Sequence, residues 1–452
     1  PELDLYVVLG GYEGISFKPQ TIEGKEFKPG YAARDKQVLL LAGSDKLVRI
    51  IRSNRDAETL RTHIEIAQSQ GRMSAPNLEL RLPGEFAFKP AFTALYEQGI
   101  FAENVGLDAR ELSAITKTSP LISIERTSLY ATTCLIRSFY ALLEERGLTT
   151  FNRLFGLLGI QSSTVHRVGI GPLMSAKHLL IDEFQDVSPL IVNFVRGLHT
   201  ALWEKSERQQ TPSLLCVGDD WQSIYGWRGS SPHFLLSFSK TFPGAPTHPI
   251  LLEENFRSSQ NIVDCGESFI AAVVTKSQKR GIAANDEVRG LPIKTVAIEE
   301  FVGADVVETL TSILRRMGPE EKLYLLAATH EELKAFKGLK DPRLTATTFH
   351  QSKGLEAEYV VLLGTTKSFG SHPVKNALYA QAGFPQTFDA AQRDEMLRVA
   401  YVAATRAARA CIWYAEPSNG SALALVPADG KSRVKIQKTD INRHLDAVFS
   451  VR

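Results

Sequence analysis

The fold is decided by one stretch of the chain, Leu179-Leu180-Ile181-Asp182-Glu183-Phe184-Gln185-Asp186. Three aliphatic residues run directly into two adjacent carboxylates, which predicts a buried parallel strand whose carboxyl end opens into a site. In doubly wound α/β sheets, ligands bind at that end of the strands. One carboxylate there can hold Mg²⁺ while its neighbour activates a water molecule. A strand followed by a solvated acidic turn is the alternative interpretation.

Composition sets the broad class of the protein. Hydrophobic residues make up 44% of the 452 residues and charged residues 23%, as in ordinary soluble globular proteins. This length predicts two or three domains. The net charge of +2 restricts any nucleic-acid-binding surface to a local patch. The chain begins at Pro1 rather than Met, as expected of a fragment or processed product, although an initiator Met is also removed before some residues.

The cysteines and the hydropathy pattern predict a cytoplasmic protein. Four scattered cysteines without a CxxC pair argue against a zinc site or a disulfide framework and fit a reducing compartment. The sequence shows no signal peptide and no stretch long and apolar enough to span a membrane. We therefore expect no membrane partner.

Before the central stretch, the pattern predicts secondary structure without recognisable chemistry. Short strands are expected at Leu5–Leu9 and Gln37–Ala42, and a helix at Asp56–Gln70. A glycine-rich turn at residues 10–14 lacks the Lys and Ser/Thr of a phosphate loop. From Pro90 to about Gly159 the pattern is mainly helical. Within it, Leu129–Leu148 predicts an amphipathic core helix with a stripe of four residues, Leu135, Phe139, Leu142 and Leu143.

A second apolar run that ends in polar residues follows the first. Leu214-Leu215-Cys216-Val217 predicts a strand, and a glycine-punctuated turn with Gln222 comes after it. Tyr225 and Trp227, beside Arg228, have the character of a stacking platform with a cationic rim for single-stranded nucleic acid. Core or turn packing of these aromatic residues is the alternative.

Five segments, in this order, resemble the motifs of the UvrD/Rep-type superfamily 1 helicases. They are IDEFQD (181–186), VGDDWQSIYGWRGS (217–230), EENFRS (253–258), TFHQSKGLE (348–356), and RDE followed by LRVAYVAATRA (393–407). The wording GDDWQSIY is similar to the helicase IV branch, and Phe256 stands where the family usually has Tyr. The resemblance extends from about Leu179 to Tyr414. Five motifs in order, with strand–turn spacing between them, form a very specific pattern.

The resemblance implies an ATP site with Mg²⁺. It assigns the metal to Asp182, the hydrolytic water to Glu183 and the γ-phosphate to Gln222. Arg257 and Arg406 would stabilise the transferring phosphoryl group. Phe256 would stack on the adenine and Glu356 would accept from the ribose, and Gly354 is also assigned to nucleotide binding.

The resemblance also implies a DNA substrate. Tyr225, Trp227 and Arg228 would face single-stranded DNA, or the single-stranded tail of a duplex, with His350 near the same strand. A lone His is commonly a capping or core residue, which is the alternative for His350. Translocation in the 3′ to 5′ direction is what the family implies.

The pattern after residue 250 predicts an α/β fold: RecA-like helicase lobes with parallel sheets covered by helices, the first lobe incomplete, after a mixed or helical N-terminal region. Strands are expected at Lys322–Ala328, Tyr359–Gly364 and Ala410–Tyr414, helices at Glu331–Leu339, Glu395–Thr405 and Ile441–Phe449, and a loop at Lys367–Gln386. The expected domains are 1–89, an α/β module; 90–175, a helical accessory region of the first lobe; 176–250, the rest of that lobe; 251–416, the second lobe; and 417–452, a tail.

One motif of the family is not found in the sequence. The phosphate loop GxxxxGK[ST], whose backbone amides and Lys hold the β- and γ-phosphates, has no match. Gly24-Lys25 is followed by Glu26. Gly430-Lys431-Ser432 has Leu425 where the first Gly belongs, so we interpret it as a surface turn.

Two hypotheses follow from this pattern. The chain is part of an ATP-dependent DNA translocase or helicase whose phosphate loop lies on an upstream segment or a partner chain. Alternatively, it is a non-hydrolysing DNA-binding or scaffolding subunit derived from a helicase.

Overall fold

The computed structural model of the chain describes most residues from 84 onward. Short gaps lie at 86–87, 163, 206–211, 243–248, 285–292, 297–302, 367–369, 416–420, 427–432 and 437–439, and the description ends at residue 450. Before residue 84 it describes only the strands Leu9–Gly10, Ser16–Phe17, Gln20–Ile22, Lys25–Phe27, Gln37–Leu40, Val48–Ile51 and Glu79–Arg81. The predicted helix at Asp56–Gln70 and the Gly430-Lys431-Ser432 turn lie outside the described residues.

Two compact units make up the chain. The first contains residues 1–175, 188–211 and 369–389, and the second contains residues 176–187, 212–368 and 390–452. All the candidate site residues named from the sequence belong to the second unit. Every contact discussed below lies within one unit.

The N-terminal strands of the first unit pair antiparallel in small sheets. Leu9–Gly10 pairs with Gln37–Leu40, which also pairs with Val48–Ile51. The strand predicted at Gln37–Ala42 is therefore confirmed over Gln37–Leu40, and its last two predicted residues lie outside the described residues. Of the strand predicted at Leu5–Leu9, only Leu9 is described, as part of Leu9–Gly10.

Helices dominate the first unit from residue 91, as the pattern predicts. Their bounds are Ala91–Asn104, Ala109–Thr118, Ser123–Glu145, Phe151–Leu157, Thr164–Arg167, Ile170–Met174, Pro189–Lys205 and Pro373–Gln381. Gly147, with φ of 65°, follows the long helix in the left-handed conformation that favours glycine at helix ends.

The core face of the helix Ser123–Glu145 differs from the predicted stripe. Leu135 is buried, but Phe139, Leu142 and Leu143 are only half-buried. The helix packs through its middle turns instead, where the Gln98 side chain donates to Thr132 Oγ1 at 2.8 Å. The close approach of this helix to Ala91–Asn104 explains why the middle turns, rather than the last ones, are covered.

A parallel sheet with six described strands forms the centre of the second unit. Its strands, in spatial order, are Leu344–Thr348, Leu323–Ala327, Ala357–Leu363, Ala407–Tyr414, Ile293–Val296 and Arg433–Ile436. Val360 and Leu362 face one buried cluster while Val361 and Leu363 face another. Both faces of the sheet are therefore covered, as a parallel sheet requires, and the predicted α/β class is confirmed.

The helices of the second unit flank its strands. Their bounds are His233–Leu236, Phe238–Thr241, Gln260–Ala271, Gly303–Arg316, His330–Leu333, Ala422–Leu425 and Ile441–Phe449, together with most of Phe388–Ala404. The C-terminal helix is confirmed at its predicted bounds. The helix expected at Glu331–Leu339 is shorter, because a 3₁₀ turn at Lys334–Phe336 replaces its second half.

The loop predicted at Lys367–Gln386 is wrong in its middle, where residues Pro373–Gln381 form a helix. The glycines and prolines of this segment suggested a loop, but Pro373 occupies the first helical turn. There the missing N–H costs no intrahelical hydrogen bond. Among the described helices, none is both long and apolar enough to cross a membrane.

The central stretch forms the strand His178–Ile181, which pairs in parallel with Ser213–Cys216. The prediction that this strand is buried is wrong for one of its faces. Leu180 is 71% exposed and its register partner Leu215 is 55% exposed, while Leu179 and Ile181 on the opposite face are half-buried. In the described part of the chain this sheet has only two strands, and the face that carries Leu180 and Leu215 is open.

Gly266 provides a test of helix packing in the second unit. A Cβ atom on this residue would lie 2.8 Å from Thr405 Cγ2 and 2.8 Å from the Tyr401 ring. We therefore expect Gly266→Ala to lower the free energy of unfolding by about 1–3 kcal/mol through overpacking. Chemical denaturation measures this, with Gly338→Ala, whose Cβ meets nothing within 4 Å, as the control. Equal stability of the two variants would contradict the packing.

Candidate functional site

Two backbone hydrogen bonds hold the turns after the paired strands together. The Val217 amide donates to the Ile181 carbonyl at 2.9 Å, and the Phe184 amide donates to the Val217 carbonyl at 2.8 Å. The turn that carries Asp182 and the turn that leads to Gln222 therefore start side by side. This confirms that the two apolar runs end at the same edge of one sheet.

Gln185 connects one turn to the other, a role that the sequence pattern does not predict. Its side chain is fully buried, and its Oε1 accepts the Asp219 amide at 3.0 Å. The Ser223 hydroxyl donates to the Gln185 carbonyl at 3.1 Å. A Cβ atom on Gly218 would lie 2.4 Å from Gln185 Oε1, so this approach needs glycine at position 218.

Glu183 has an unusual backbone conformation. With φ of 52° and ψ of 40°, it is the one non-glycine residue with positive φ in the described part of the chain. Its amide donates to Asp182 Oδ1 at 2.8 Å, and both acidic residues are exposed. Strained backbone of this kind persists where surrounding contacts determine it, commonly at functional sites.

Lys353 is a second residue whose importance the sequence did not reveal. Its side chain is only 8% exposed and lies 3.2 Å from Glu183 Oε2. It also pairs with Asp186 and donates to the Gln222 carbonyl at 3.0 Å. Burial raises the pKa of Asp186, while the hydrogen bond and charge of Lys353 oppose that rise. One ammonium group thus connects both turns.

The side chain of Gln222 is bonded to its own turn, the 3₁₀ turn Asp220–Gln222 that Asp219 precedes. Its Nε2 donates to Asp219 Oδ2 at 2.7 Å, and Asp219 Oδ1 accepts the Trp221 amide at 3.0 Å. Lys279 pairs with Asp220 at 3.1 Å and with Asp219 at 2.5 Å. The position of the Gln222 amide group is therefore set by a network of charged side chains.

The two predicted arginines lie close enough to influence each other. Arg257 Nε donates to Glu356 Oε2 at 2.8 Å, and this bond lowers the pKa of Glu356. Arg406 is 1% exposed, and its Nε and Nη1 donate to the Val402 and Leu355 carbonyls at 3.0 and 3.1 Å. Burial, and then the charge of Arg257, lowers the pKa of Arg406 to about 10. Two neighbouring guanidinium groups favour an anion near them.

Phe256 has an exposed ring, and Gly354 has a backbone conformation that favours glycine. The Phe256 ring is 77% exposed, next to the short strand Glu254–Asn255, so its face is available for stacking. Gly354 has φ of 81°, and a Cβ there would meet nothing within 4 Å. The conformation of the backbone, rather than lack of space, is what favours glycine at this position.

The residues Tyr225, Trp227 and Arg228 form a cluster that we call the aromatic platform. The Arg228 guanidinium lies 4.4 Å from the Trp227 ring centroid and 5.6 Å from that of Tyr225. Trp227 is 43% exposed. The Tyr225 hydroxyl donates to the His350 carbonyl at 3.5 Å, with the two rings 6.3 Å apart. Burial, and then Arg228, lowers the pKa of His350, which favours its neutral form.

The acidic residues suit a metal that is shared with a ligand. Within the described ranges, no group of three or more His, Cys, Asp and Glu side chains is arranged to hold a metal ion by itself. Mg²⁺ is commonly held by one or two carboxylates together with phosphate oxygens and water. The exposed Asp182 carboxylate at the strand end offers one such oxygen ligand, and it fits a metal–nucleotide complex in this respect.

Comparison with known families gives two matches along the chain. Residues 142–243 match the family model described as the UvrD/REP helicase N-terminal domain. Residues 296–414 match the model described as the UvrD-like helicase C-terminal domain. Together the matched regions contain all the candidate site residues except Phe256 and Arg257, which lie between them.

Individual relatives are similar over parts of the chain. The chain is 28% identical to DNA helicase IV of Escherichia coli (strain K12) over 244 residues, covering 52% of this chain and 33% of that protein. It is 39% identical to the putative ATP-dependent DNA helicase YjcD of Bacillus subtilis (strain 168) over 130 residues, covering 29% of this chain and 16% of that protein. The matches thus span a third or less of these relatives.

A solved structure, the C-terminal domain of a possible DNA helicase from Lactobacillus plantarum WCFS1, also matches. It is 14% identical and covers 40% of this chain and 98% of that one, with a TM-score of 0.25.

The backbone of Glu183 gives a prediction that concerns stability alone. Glu183→Gly and Glu183→Ala remove the same carboxylate, but only the Ala variant keeps a Cβ at φ of 52°. We expect the Gly variant to be more stable than the Ala variant by about 1 kcal/mol, since left-handed backbone costs other residues about that much. Thermal unfolding of both variants measures the difference. An Ala variant of equal or greater stability would show that the conformation is not strained.

Proposed function

Because the chain belongs to the UvrD/Rep-type superfamily 1 helicases, we propose that it is the motor of a cytoplasmic single-stranded DNA translocase or helicase. In this proposal ATP hydrolysis drives 3′ to 5′ movement and unwinding of a duplex with a single-stranded tail. The observation that carries it is that Gln185 and Lys353 connect the acidic turn, which carries Asp182 and Glu183, to the turn that carries Gln222. Such a pair of turns at strand ends is suited to phosphoryl transfer.

The residues at the strand ends would have separate roles in ATP hydrolysis. Asp182 would hold Mg²⁺, and Glu183 would orient the attacking water and accept its proton. Gln222 would contact the γ-phosphate from the adjoining turn. Bound ATP with Mg²⁺ supplies the phosphoryl group and the charge that neutralises it. The exposure of both acidic residues supports these assignments, because a ligand can reach them.

The arginine pair and its neighbours would bind the rest of the nucleotide. Arg257 and Arg406 would stabilise negative charge on the transferring phosphoryl group, and their mutual repulsion supports an anion near them. The exposed Phe256 ring would stack on adenine. Glu356 would accept from the ribose, with Gly354 providing the turn before it.

The aromatic platform would bind single-stranded DNA. A half-exposed Trp227 with a guanidinium over its ring offers a stacking face and a positive charge to the phosphate backbone. His350, which contacts Tyr225 through its carbonyl and is favoured in its neutral form, would lie beside the same strand.

We further propose that the phosphate loop is provided by a segment or partner chain outside these 452 residues. The open face of the two-stranded sheet supports this, because Leu180, Leu215 and Val217 are exposed along it and lead directly to Asp182. Parallel sheets are normally covered on both faces. A further strand paired with this sheet, followed by a helix packed on its open face, would bring the loop between them to the strand ends that carry the acidic pair.

A non-hydrolysing DNA-binding or scaffolding subunit is the second candidate function. The sequence favours it in one respect, since GxxxxGK[ST] has no match in it. Under this alternative, the aromatic platform would still bind DNA, but no turnover would accompany binding. Both candidates therefore predict DNA binding by the aromatic platform, but only the motor predicts ATP turnover.

ATP turnover separates the two candidates. We expect the chain, combined with the product of the reading frame immediately upstream, to hydrolyse ATP faster when single-stranded DNA is present. Glu183→Gln should lower this rate by about 10²- to 10⁴-fold, because the variant cannot accept the proton from water. The rate is measured by phosphate release, with Glu331→Gln, an exposed carboxylate elsewhere in the second unit, as the control. The absence of both ATP turnover and nucleotide binding in this mixture would contradict the motor.

Single-stranded DNA binding tests the aromatic platform under either candidate. We expect Trp227→Ala to weaken binding by about 1–3 kcal/mol, because one base loses its stacking partner. Fluorescence anisotropy of a labelled oligothymidylate measures the dissociation constant. Trp203→Ala removes another exposed tryptophan, 56% accessible, and should leave the constant unchanged. Unchanged binding by Trp227→Ala would assign that ring to local packing.

A further inference from the structure

Two adjacent carboxylates lie beside Gln222, where the proposed function brings a triphosphate. Asp219 precedes the 3₁₀ turn Asp220–Gln222, and its Oδ2 accepts the Gln222 amide group at 2.7 Å. The Asp220 side chain is 3% exposed. Like charges that are partly shielded from water repel each other strongly. Without a compensating charge, the two carboxylates would therefore repel the phosphate oxygens that Gln222 is proposed to contact.

Lys279 brings a positive charge to both carboxylates. Its ammonium group lies 2.5 Å from Asp219 Oδ1 and 3.1 Å from Asp220 Oδ1. Among the described residues, no other Lys, Arg or His side chain forms an ion pair with either carboxylate. The Trp221 ring covers a further side of the ammonium group, at 4.8 Å from the ring centroid, and the Lys279 side chain is only 17% exposed. Water and dissolved cations therefore cannot readily replace this charge.

The loop that carries Lys279 is itself bonded to the Gln222 turn. Asp220 accepts the Ser277 amide at 2.8 Å and the Ser277 hydroxyl at 2.5 Å. Arg398, another buried cation, donates to the Thr275 carbonyl of the same loop at 2.5 Å, rather than to the carboxylates. These bonds fix the loop on both sides of the contact, so the ammonium group of Lys279 is held at the two carboxylates.

We propose that Lys279 is a positioning residue that makes the Gln222 turn able to accept a γ-phosphate, and that it thereby determines the preference for ATP over ADP. The inference rests on the proposed contact of Gln222 with the γ-phosphate. The Gln222 amide nitrogen has two hydrogens, and its bond to Asp219 uses one of them. Lys279 acts through the carboxylates that it neutralises and does not touch the nucleotide. ADP has no γ-phosphate, so its binding depends little on this charge.

Lys375 provides a matched control for the loss of a buried ammonium group. It is 15% exposed, pairs with Glu85 at 2.7 Å, and lies 5.0 Å from the Phe101 ring and 4.9 Å from the Phe388 ring. Its chemistry therefore parallels that of Lys279, but it belongs to the first unit and contacts none of the candidate site residues in these bonds.

Nucleotide binding, rather than turnover, tests this inference. The chain, combined with the product of the reading frame immediately upstream, is titrated with ATPγS and with ADP, each with Mg²⁺, by calorimetry. Lys279→Gln removes the charge but keeps N–H donors for the carboxylates. We expect this variant to weaken ATPγS binding by about tenfold or more and ADP binding by less than about threefold. Lys279→Arg, which keeps the charge, and Lys375→Gln should both stay within about threefold of the wild type for each nucleotide.

The outcomes separate this inference from the proposed function. If the wild type binds neither nucleotide, both proposals are wrong. If the wild type binds both, and Lys279→Gln weakens them equally or not at all, the inference alone is overturned. A loss in Lys279→Arg as large as that in Lys279→Gln also overturns it, because the charge is then not the cause.

A second variant applies if Lys279→Gln does not unfold cooperatively. Asp219→Asn removes one of the two negative charges, while its side-chain oxygen can still accept from Gln222. With Lys279 in place, this variant should bind ATPγS more tightly relative to ADP than the wild type does. An unchanged or lower ratio would overturn the inference.

Discussion

The parallel register of His178–Ile181 with Ser213–Cys216 is the constraint on which the candidate site depends. Parallel strands end at a common edge, so the register brings two turns together that are separated by some thirty residues of chain. The backbone bonds from Val217 to Ile181 and from Phe184 to Val217 then extend the pairing beyond the strands. Without this register, neither Gln185 nor Lys353 could contact both turns.

Buried charges determine the finer geometry around that edge. Lys353, Lys279 and Arg406 are each largely removed from solvent, and each is held by carboxylates or backbone carbonyls. An interior cation without such partners is costly, so its contacts are strongly preferred over alternatives. Of the side chains that would meet a ligand, Asp182, Glu183 and Phe256 remain exposed, whereas Arg406 is among the buried cations. The rigid part of the site thus lies behind the accessible part.

Local sequence patterns predicted the strands well and their surroundings less well. The run at 359–364 was correctly predicted as a buried strand, but the similar run at 179–181 has one open face. The number of strands and helices that cover a sheet depends on distant segments, which a local apolar run does not report. Lys353 was visible within a motif, yet its partners Asp186 and Gln222 lie 167 and 131 residues away. Only the folded chain could show that these contacts converge.

The conformation of Glu183 bears on the choice between a motor and a scaffold. Left-handed backbone costs a glutamate about 1–2 kcal/mol that glycine would not incur. The contacts of its carboxylate with Lys353 and Gln185 offset part of this cost. They also fix the orientation of the side chain, which is exposed after the strand end. A subunit that only binds DNA gains nothing from an exposed carboxylate held in this way. A water-activating residue must be both accessible and fixed, so the strain at Glu183 supports the motor.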